Sequence, residues 1–363
     1  MNKQRVFVTR SRVPKAINLL KENFEVTVWD SLIKAPKTDL IKYIKHSDAI
    51  LTEVDDVIDK EIISNAPNLK IISNRAIGVD NIDIETANLK GIKIGNTPGV
   101  LHESCADLTF GLIIAIARQI PYAYNQVLKG NWKFFDQTPY IGPDVYGSTL
   151  GIIGFGKIGQ ALAKRAQGFD MNLLYYSRSR KNELESKLNV KWTPNISTLL
   201  KESDYISVLV PLSKETEYII STKEFKLMKN SAYLINTSRG KTVDQKALIK
   251  ALESNQIAGA ALDVTDPEPI EMNSKLLSMK NVLIVPHISS ASTKTIENIF
   301  VGLRISPYLL EAPGTSQEWN RKCENKISTM IFTAPKVAGT SGTDVPFTFH
   351  SASHTHFFRR EEY

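Results

Sequence analysis

The chain has 363 residues, of which 42% are hydrophobic and 23% charged, and its formal net charge is +7. This length is enough for two domains, each with its own buried core. The basic residues are spread along the chain and do not cluster with aromatic side chains, which argues against a nucleic-acid-binding protein. The longest apolar run, residues 108–117, is too short to cross a bilayer.

The two cysteines, Cys105 and Cys323, form no disulfide framework and match no metal-ligand spacing. We therefore predict no metal site and a reducing compartment. The segment MNKQRVFVTR passes directly from polar residues into a strand-like run, unlike a secretory signal peptide. The expected location is cytoplasmic, with neither a membrane nor a nucleic acid as partner.

Short apolar runs alternate with amphipathic segments from residue 5 onwards. Because this alternation is typical of strands joined by helices, it predicts a parallel, doubly wound α/β unit. A long helix from His102 follows; it is apolar nearly all round and has a break near Pro121. The predicted strands of this first series are 6–9, 26–28, 49–52, 69–73 and 92–94, and its predicted helices are 15–22 and 39–46.

A second alternating series begins at Thr149. It contains about six predicted strands, which is the content of a dinucleotide-binding sheet, so the first series is predicted to be a separate, smaller domain. The strands lie in TLGIIGFG, MNLLYY, DYISVLVP, SAYLINTS, AGAALDV and NVLIVP, and the helices end at about Gln167, Met228 and Ser254. Residues beyond about Leu303 have no sustained periodicity and are rich in Ser, Thr, Pro and Gly.

The segment from Gly154 to Gly159 has the spacing GxGxxG between a strand and a helix. In that context the first glycine makes a tight turn, the second lets the backbone approach a pyrophosphate, and the third lets the helix pack on the strand. The start of the helix offers free N–H groups to the phosphates. The predicted cofactor-binding residues of this motif are Gly154, Gly156, Lys157, Ile158 and Gly159.

A basic turn follows the next strand, where an NAD-binding protein usually has an acidic residue for the ribose hydroxyls. Here the sequence reads Ser177-Arg178-Ser179-Arg180-Lys181. Guanidinium, ammonium and hydroxyl groups bind a 2′-phosphate with charge-assisted hydrogen bonds. Ser177, Arg178, Ser179 and Arg180 are therefore predicted to select NADPH, with NADH still possible.

Arg239, Glu268 and His287 each follow a predicted strand of the second series. Open α/β sheets build their sites at the carboxyl ends of strands, so these three side chains are expected beside the same cofactor edge.

The motifs NRAIGVDNID, GIKIGNTPGVL, ADLTFGL, GFGKIG, INTSRG, ALDVTDPEP and PHISSAS, in this order, resemble the D-isomer-specific 2-hydroxyacid dehydrogenases. Within that family, YYSRSRK and LDVTDPEP are most similar to the glyoxylate reductase/hydroxypyruvate reductase branch. The resemblance covers residues 5 to about 303. It implies NADPH-dependent reduction of glyoxylate or hydroxypyruvate to glycolate or D-glycerate.

The resemblance also implies a fold: two doubly wound parallel-sheet domains, with a Rossmann cofactor domain inserted in a flavodoxin-like substrate domain. The expected domains are a first substrate part, 1–101; the NAD(P)-binding domain, 102–290; a return helix, 291–311; and a disordered or atypical tail, 312–363. The apolar region around 102–130 resembles the dimer-forming segment of the family, so a homodimer is expected.

Roles for single residues follow from the same resemblance. Arg239 would hold the substrate carboxylate and polarise its C2 carbonyl, and His287 would be the general acid. Glu268 would orient the imidazole and favour its protonated form. The other residues would line the two ligands: Ile77, Gly78 and Leu101 the 2-keto or 2-hydroxy acid substrate, and Pro211, Thr237 and Asp263 the cofactor.

Alternatives remain at this point. One is an NAD-dependent dehydrogenase of another D-2-hydroxy acid, such as 3-phosphoglycerate; another is a non-catalytic, corepressor-like nucleotide-binding protein. A formate dehydrogenase is disfavoured, because its family replaces the glutamate that here partners His287. Ser289 stands where the family usually has glycine, and its side chain is expected to crowd the nicotinamide. The unusual end of the chain leaves an inactive variant as a third alternative.

Overall fold

The computed structural model describes residues 3–11, 14–302 and 331–332. Strands and helices alternate in the first third of the chain, as predicted. The elements are β1 (Arg5–Val8), α1 (Pro14–Asn23), β2 (Glu25–Val28), α2 (Lys37–Ile44), β3 (Ala49–Thr52), α3 (Lys60–Ser64), β4 (Ile71–Asn74), α4 (Ile84–Leu89) and β5 (Lys93–Gly95).

These strands form a parallel sheet with the order β2-β1-β3-β4-β5. This is the flavodoxin-like order, in which the chain changes direction between β1 and β3 and opens a crevice there. Ile331–Phe332, the strand β13, pairs antiparallel with β5 at the edge. Apart from this strand, the predicted tail 312–363 lies outside the described residues.

Two helices lead from the first sheet to the second. The first, α5 (His102–Ala117), is the long apolar helix that was predicted, and α6 (Ile120–Leu128) follows it. The break falls at Gln119, whose φ of 51° is left-handed, and Pro121 lies in the first turn of α6. Proline is tolerated there because the first N–H groups of a helix have no intrahelical acceptor.

The second sheet is parallel and has the order β8-β7-β6-β9-β10-β11-β12 in the described part of the chain. This is the Rossmann order, with its change of direction between β6 and β9. Its elements are β6 (Thr149–Ile153), α7 (Lys157–Gln167), β7 (Asn172–Tyr176), α8 (Asn182–Leu188), β8 (Val190–Trp192), α9 (Ile196–Glu202), β9 (Tyr205–Val208), α10 (Thr222–Phe225), β10 (Tyr233–Asn236), α11 (Gln245–Glu253), β11 (Gly259–Leu262) and β12 (Val282–Ile284).

The last described helix, α12 (Thr293–Gly302), leads from the second sheet back to the first. Its Ile299 is buried in one apolar cluster with Val6 and Val8 of β1. Leu101 and Cys105, at the start of α5, belong to the same cluster. The helices that enter and leave the second sheet, α5 and α12, therefore share a core with the first sheet. Within residues 3–11 and 14–302, no helix has the length and apolar character needed to span a membrane.

Candidate active site

The glycine loop joins β6 to α7. Gly154 has a φ of 103°, and a Cβ there would collide with the backbone of Leu209 and Val210. Gly159 packs against the carbonyl of Gly154, so a Cβ would separate the helix from the loop. Gly156 caps α7 with no side chain, and a Cβ built on it meets nothing within 4 Å. The start of α7 is therefore open to a phosphate, which fits a dinucleotide.

The next two residues of the motif face different surroundings. Lys157 is exposed, and its ammonium lies near Gly99, in the loop before α5. Ile158 is half-buried and packs on the apolar cluster that contains Leu101 and Cys105. The first turn of α7 thus combines a cation near the loop of the first domain with an apolar anchor.

The basic turn gives its two arginines different partners. The guanidinium of Arg180 binds both carboxylate oxygens of Glu185 at 2.8 Å and lies 5.3 Å from the ring of Trp192. The pair raises the pKa of Arg180 and lowers the pKa of Glu185. Arg178 is exposed and makes no hydrogen bond or ion pair within the described residues. The Ser177 hydroxyl donates to the carbonyl of Ser179 at 2.6 Å.

Arg178 lies close enough to the loop after β9 for its charge to act on Glu215. The pKa of Glu215 there is lowered, mainly by a hydrogen bond from the Ser213 hydroxyl, and the charge of Arg178 contributes. Pro211 begins the same loop, and its carbonyl accepts from Thr216 at 2.5 Å. The turn predicted to bind a 2′-phosphate therefore contains Arg178, which pairs with none of the described residues, and Arg180, which is bound to a carboxylate.

Arg239 lies in the loop after β10 and contacts the first domain. Its Nε donates to both carboxylate oxygens of Asp80, at 3.0 and 3.1 Å, and its Nη1 donates to the Ser238 carbonyl at 3.0 Å. Its Nη2 lies against Gly78, where an added Cβ would collide with it. The guanidinium is thus fixed through Nε and Nη1, and Nη2 is directed to the loop of Ile77 and Gly78.

That loop also offers hydrogen-bond donors. The backbone N–H groups of Ile77 and Gly78 make no hydrogen bond with any residue that the structure describes. The carbonyls of the same two residues accept from Asn96 and Asn74, at 2.7 and 2.9 Å, which holds the loop in place. Unpaired N–H groups beside a guanidinium form a site for a carboxylate.

His287 follows β12, and its Nδ1 lies 2.5 Å from Oε1 of Glu268. The backbone of His287 is left-handed, with a φ of 53°. Its N–H donates to the carbonyl of Asp263, whose side chain accepts from the N–H groups of Ile288 and Ser289 at 2.7 and 3.0 Å. Both oxygens of Asp263 therefore hold the histidine loop, and the expected contact of Asp263 with a nicotinamide amide stays a prediction.

Ser289 differs from its expected placement. Its side chain is buried and lies beside the thiol of Cys105 on α5. The expectation that it crowds the nicotinamide finds no support in this geometry. Thr237 is also buried, and its hydroxyl lies 2.8 Å from that of Thr109 on α5.

The order of the sheet relates these loops. Because β10, β11 and β12 are neighbours, the loops that carry Arg239, Glu268 and His287 leave adjacent strands. Gly240 packs against the backbone of Thr265, which brings the first two loops into contact. Asp80 was missed because a single loop carboxylate gives no signal before its partner is known. Residues 3–11 and 14–302 contain no group of His, Cys, Asp or Glu able to hold a metal ion.

Comparison with known proteins identifies the family. The model described as "D-isomer specific 2-hydroxyacid dehydrogenase, NAD binding domain" matches residues 110–289. The chain is 47% identical over 294 residues to the glyoxylate reductase of Pyrococcus horikoshii, covering 80% of this chain and 87% of that protein.

Two solved structures are similar in fold. One is the NADPH-dependent glyoxylate/hydroxypyruvate reductase of Sinorhizobium meliloti in complex with NADP and malonate, with a TM-score of 0.73, 29% identity, and coverage of 83% of this chain and 92% of that one. The other is the D-lactate dehydrogenase of Aquifex aeolicus complexed with NAD and lactic acid, with a TM-score of 0.72, 31% identity, and coverage of 82% and 92%. The chain is therefore an oxidoreductase that belongs to the D-isomer-specific 2-hydroxyacid dehydrogenase family.

Proposed function

We propose that the protein reduces glyoxylate and hydroxypyruvate to glycolate and D-glycerate with NADPH. The observation that carries this proposal is the position of Arg239 beside Gly78, in a loop whose Ile77 and Gly78 N–H groups bind no described residue, with Glu268 and His287 paired at the ends of the next two strands. A small 2-keto acid needs a carboxylate site and a proton donor next to it. The name of the Pyrococcus relative supports glyoxylate as one substrate.

The roles of the side chains follow from their contacts. When bound, the nicotinamide supplies the hydride for C2 of the substrate. Arg239, held by Asp80, binds the carboxylate and polarises the carbonyl with Nη2. His287 keeps Nδ1 toward Glu268, so its Nε2 is the atom that gives a proton to the carbonyl oxygen. Leu101, buried at the start of α5, belongs to the same apolar cluster as Ile77 and would line the substrate.

The proposal is tested by steady-state kinetics with glyoxylate and hydroxypyruvate, each with NADPH and with NADH. We expect turnover of both acids and a preference for NADPH. The absence of turnover with either acid would refute the proposed substrates, and a tenfold preference for NADH would refute the proposed cofactor.

The cofactor prediction concerns Arg178. In Arg178→Gln we expect the KM for NADPH to rise about tenfold or more, because a charge-assisted contact with the 2′-phosphate is lost, while the KM for NADH stays unchanged. The matched control is Arg180→Gln, since that guanidinium is already bound by Glu185. A larger effect on NADPH from Arg180→Gln than from Arg178→Gln would contradict this assignment.

One observation favours the NAD-linked alternative. Glu185 neutralises Arg180, and Glu215 lies within the field of Arg178, so the turn is less positive than its sequence indicates. A carboxylate near the adenosine ribose suits hydroxyls better than a phosphate. The cofactor comparison above decides between the two.

We also propose that the protein is a cytosolic homodimer. Many large apolar side chains are exposed on α6 and the segment after it, and an interface between two copies would remove this apolar surface from water. These side chains are Tyr124, Val127, Leu128, Trp132, Phe134, Phe135, Ile141 and Tyr146.

The dimer prediction is tested with a charge placed in this segment. Phe135→Asp is expected to shift the mass measured by light scattering from dimer to monomer, because the carboxylate cannot be buried unpaired. Leu89→Asp is the matched control, since Leu89 and Phe135 are both 82% exposed and Leu89 lies on α4. A monomeric wild type, or dissociation by both changes, would contradict the proposed interface.

A further inference from the structure

Helix α5 packs against β10 and β11, near the loops that carry the candidate catalytic residues. Most of its buried side chains are apolar, but three carry a polar atom: Ser104, Cys105 and Thr109. Cys105 and Thr109 are four positions apart, so they lie on one face of the helix, one turn from each other. Each contacts a different loop.

Thr109 contacts the loop of Arg239. Its hydroxyl donates to the carbonyl of Cys105 at 2.6 Å. A hydroxyl has a single proton, so in the 2.8 Å contact with Thr237 the donor is Thr237 and Thr109 accepts. Thr237 is buried and precedes Arg239 by two residues. This hydrogen bond attaches the start of the Arg239 loop to α5.

Cys105 contacts the loop of His287. Its thiol lies beside the Ser289 hydroxyl, and both side chains are buried. Burial raises the pKa of the Cys105 thiol to about 11, so this group is a neutral partner at physiological pH. Ser289 follows His287 by two residues, and its N–H is held by Asp263. The histidine loop is therefore hydrogen-bonded to Asp263 after β11 and packs against α5 through Ser289.

We propose that Thr109 and Cys105 are positioning residues that hold the Arg239 loop and the His287 loop at a fixed spacing on one helix. This inference rests on the proposed function for the roles of Arg239 and His287. A helix is stiffer than the loops that it contacts, so two attachments one turn apart set where the carboxylate site lies relative to the proton donor. A small shift between these two groups lowers the rate, because the substrate must meet both at once.

The first test separates the two loops by kinetics. Thr109→Val keeps the size of the side chain and removes the acceptor for Thr237; we expect the KM for glyoxylate to rise about tenfold, because the carboxylate site moves. Ser289→Ala removes the partner of Cys105; we expect kcat to fall about tenfold with an unchanged KM, because the proton donor moves. Thr109→Ser keeps the hydroxyl and should restore wild-type kinetics.

The matched control is Ser104→Ala. Ser104 lies on the same helix, is buried, and accepts a hydrogen bond of 3.0 Å from Thr295 of α12, which is not a catalytic loop. Its loss should lower thermal stability as much as the other changes do and leave both kinetic constants unchanged. Equal kinetic effects from Ser104→Ala and Thr109→Val would overturn the proposal, since they would indicate a general loss of packing.

A second measurement does not depend on turnover. Amide hydrogen exchange is read by mass spectrometry on the full chain for residues 237–240 and 287–290. We expect faster exchange in 237–240 for Thr109→Val, in 287–290 for Ser289→Ala, and in neither segment for Ser104→Ala. Unchanged exchange in both variants overturns the positioning role. These shifts in a protein that does not reduce glyoxylate would support the positioning role and refute the proposed substrate.

Discussion

Replacing His287 with asparagine is expected to lower kcat for glyoxylate reduction about a thousandfold, because general acid catalysis is worth roughly a factor of 10² to 10⁴. Asparagine is chosen because the backbone at His287 has a φ of 53°, a left-handed conformation that asparagine tolerates better than most residues. The side chain also keeps a polar atom near Glu268. The loss is therefore expected in proton transfer and not in folding.

The measurement combines kcat with two properties that should not change. Binding of NADPH, followed by its fluorescence, and the midpoint of thermal unfolding should both match wild type. His46→Asn is the control histidine, since His46 is exposed at the end of α2 and should leave kcat unchanged. A kcat for His287→Asn within tenfold of wild type would overturn the assignment of His287 as the acid.

Arg239→Lys is expected to lower kcat/KM for glyoxylate about a thousandfold, although the positive charge is retained. The guanidinium uses separate nitrogens for Asp80, for the Ser238 carbonyl and for the site at Gly78. A lysine ammonium is a single point charge that cannot hold this planar arrangement, so it stays near Asp80 or moves to the substrate. Both the KM and kcat are expected to change, because the contact acts in binding and in polarising the carbonyl.

Two further variants make this result specific. Arg165→Lys is the matched control, because the side chains of Arg165 and Arg239 are almost equally exposed, at 22% and 21%. Arg165 also pairs with carboxylates, those of Glu103 and Asp107. This change should leave kcat/KM unchanged. Asp80→Asn keeps an acceptor for Nε without the charge, and we expect a smaller loss of about tenfold. If Arg239→Lys and Arg165→Lys have equal effects, Arg239 has no special role.

The positions of the site loops were predictable because the strands of both series are short apolar runs with motifs at their carboxyl ends. The three-residue strand β8 was missed, since Val190–Trp192 lies outside the apolar runs from which the strands were predicted. The helices α3 and α4 were also missed, because five or six residues show less than two turns of periodicity. The identity of the fold needed only the longer elements.

Contacts between distant residues were not predictable. Asp80 and Arg239 are 159 positions apart, and neither sequence segment specifies the other. Arg180 was expected to bind a phosphate because its neighbours are basic. In the structure its guanidinium is hydrogen-bonded to Glu185 in the first turn of α8. Ser289 was expected to face the cofactor because glycine is usual there, yet its neighbour on α5 is Cys105, which accommodates a hydroxyl. In each case the deciding partner comes from another element.

The Asp80–Arg239 pair also limits how this enzyme can be recombined with its relatives. The carboxylate belongs to a loop of the flavodoxin-like sheet, and the guanidinium belongs to the Rossmann sheet. A side chain at position 78 would collide with the same guanidinium, so only glycine fits there. A chimera that takes its cofactor domain from another protein must therefore inherit Gly78, Asp80 and Arg239 as one unit, although two of them lie outside the exchanged segment.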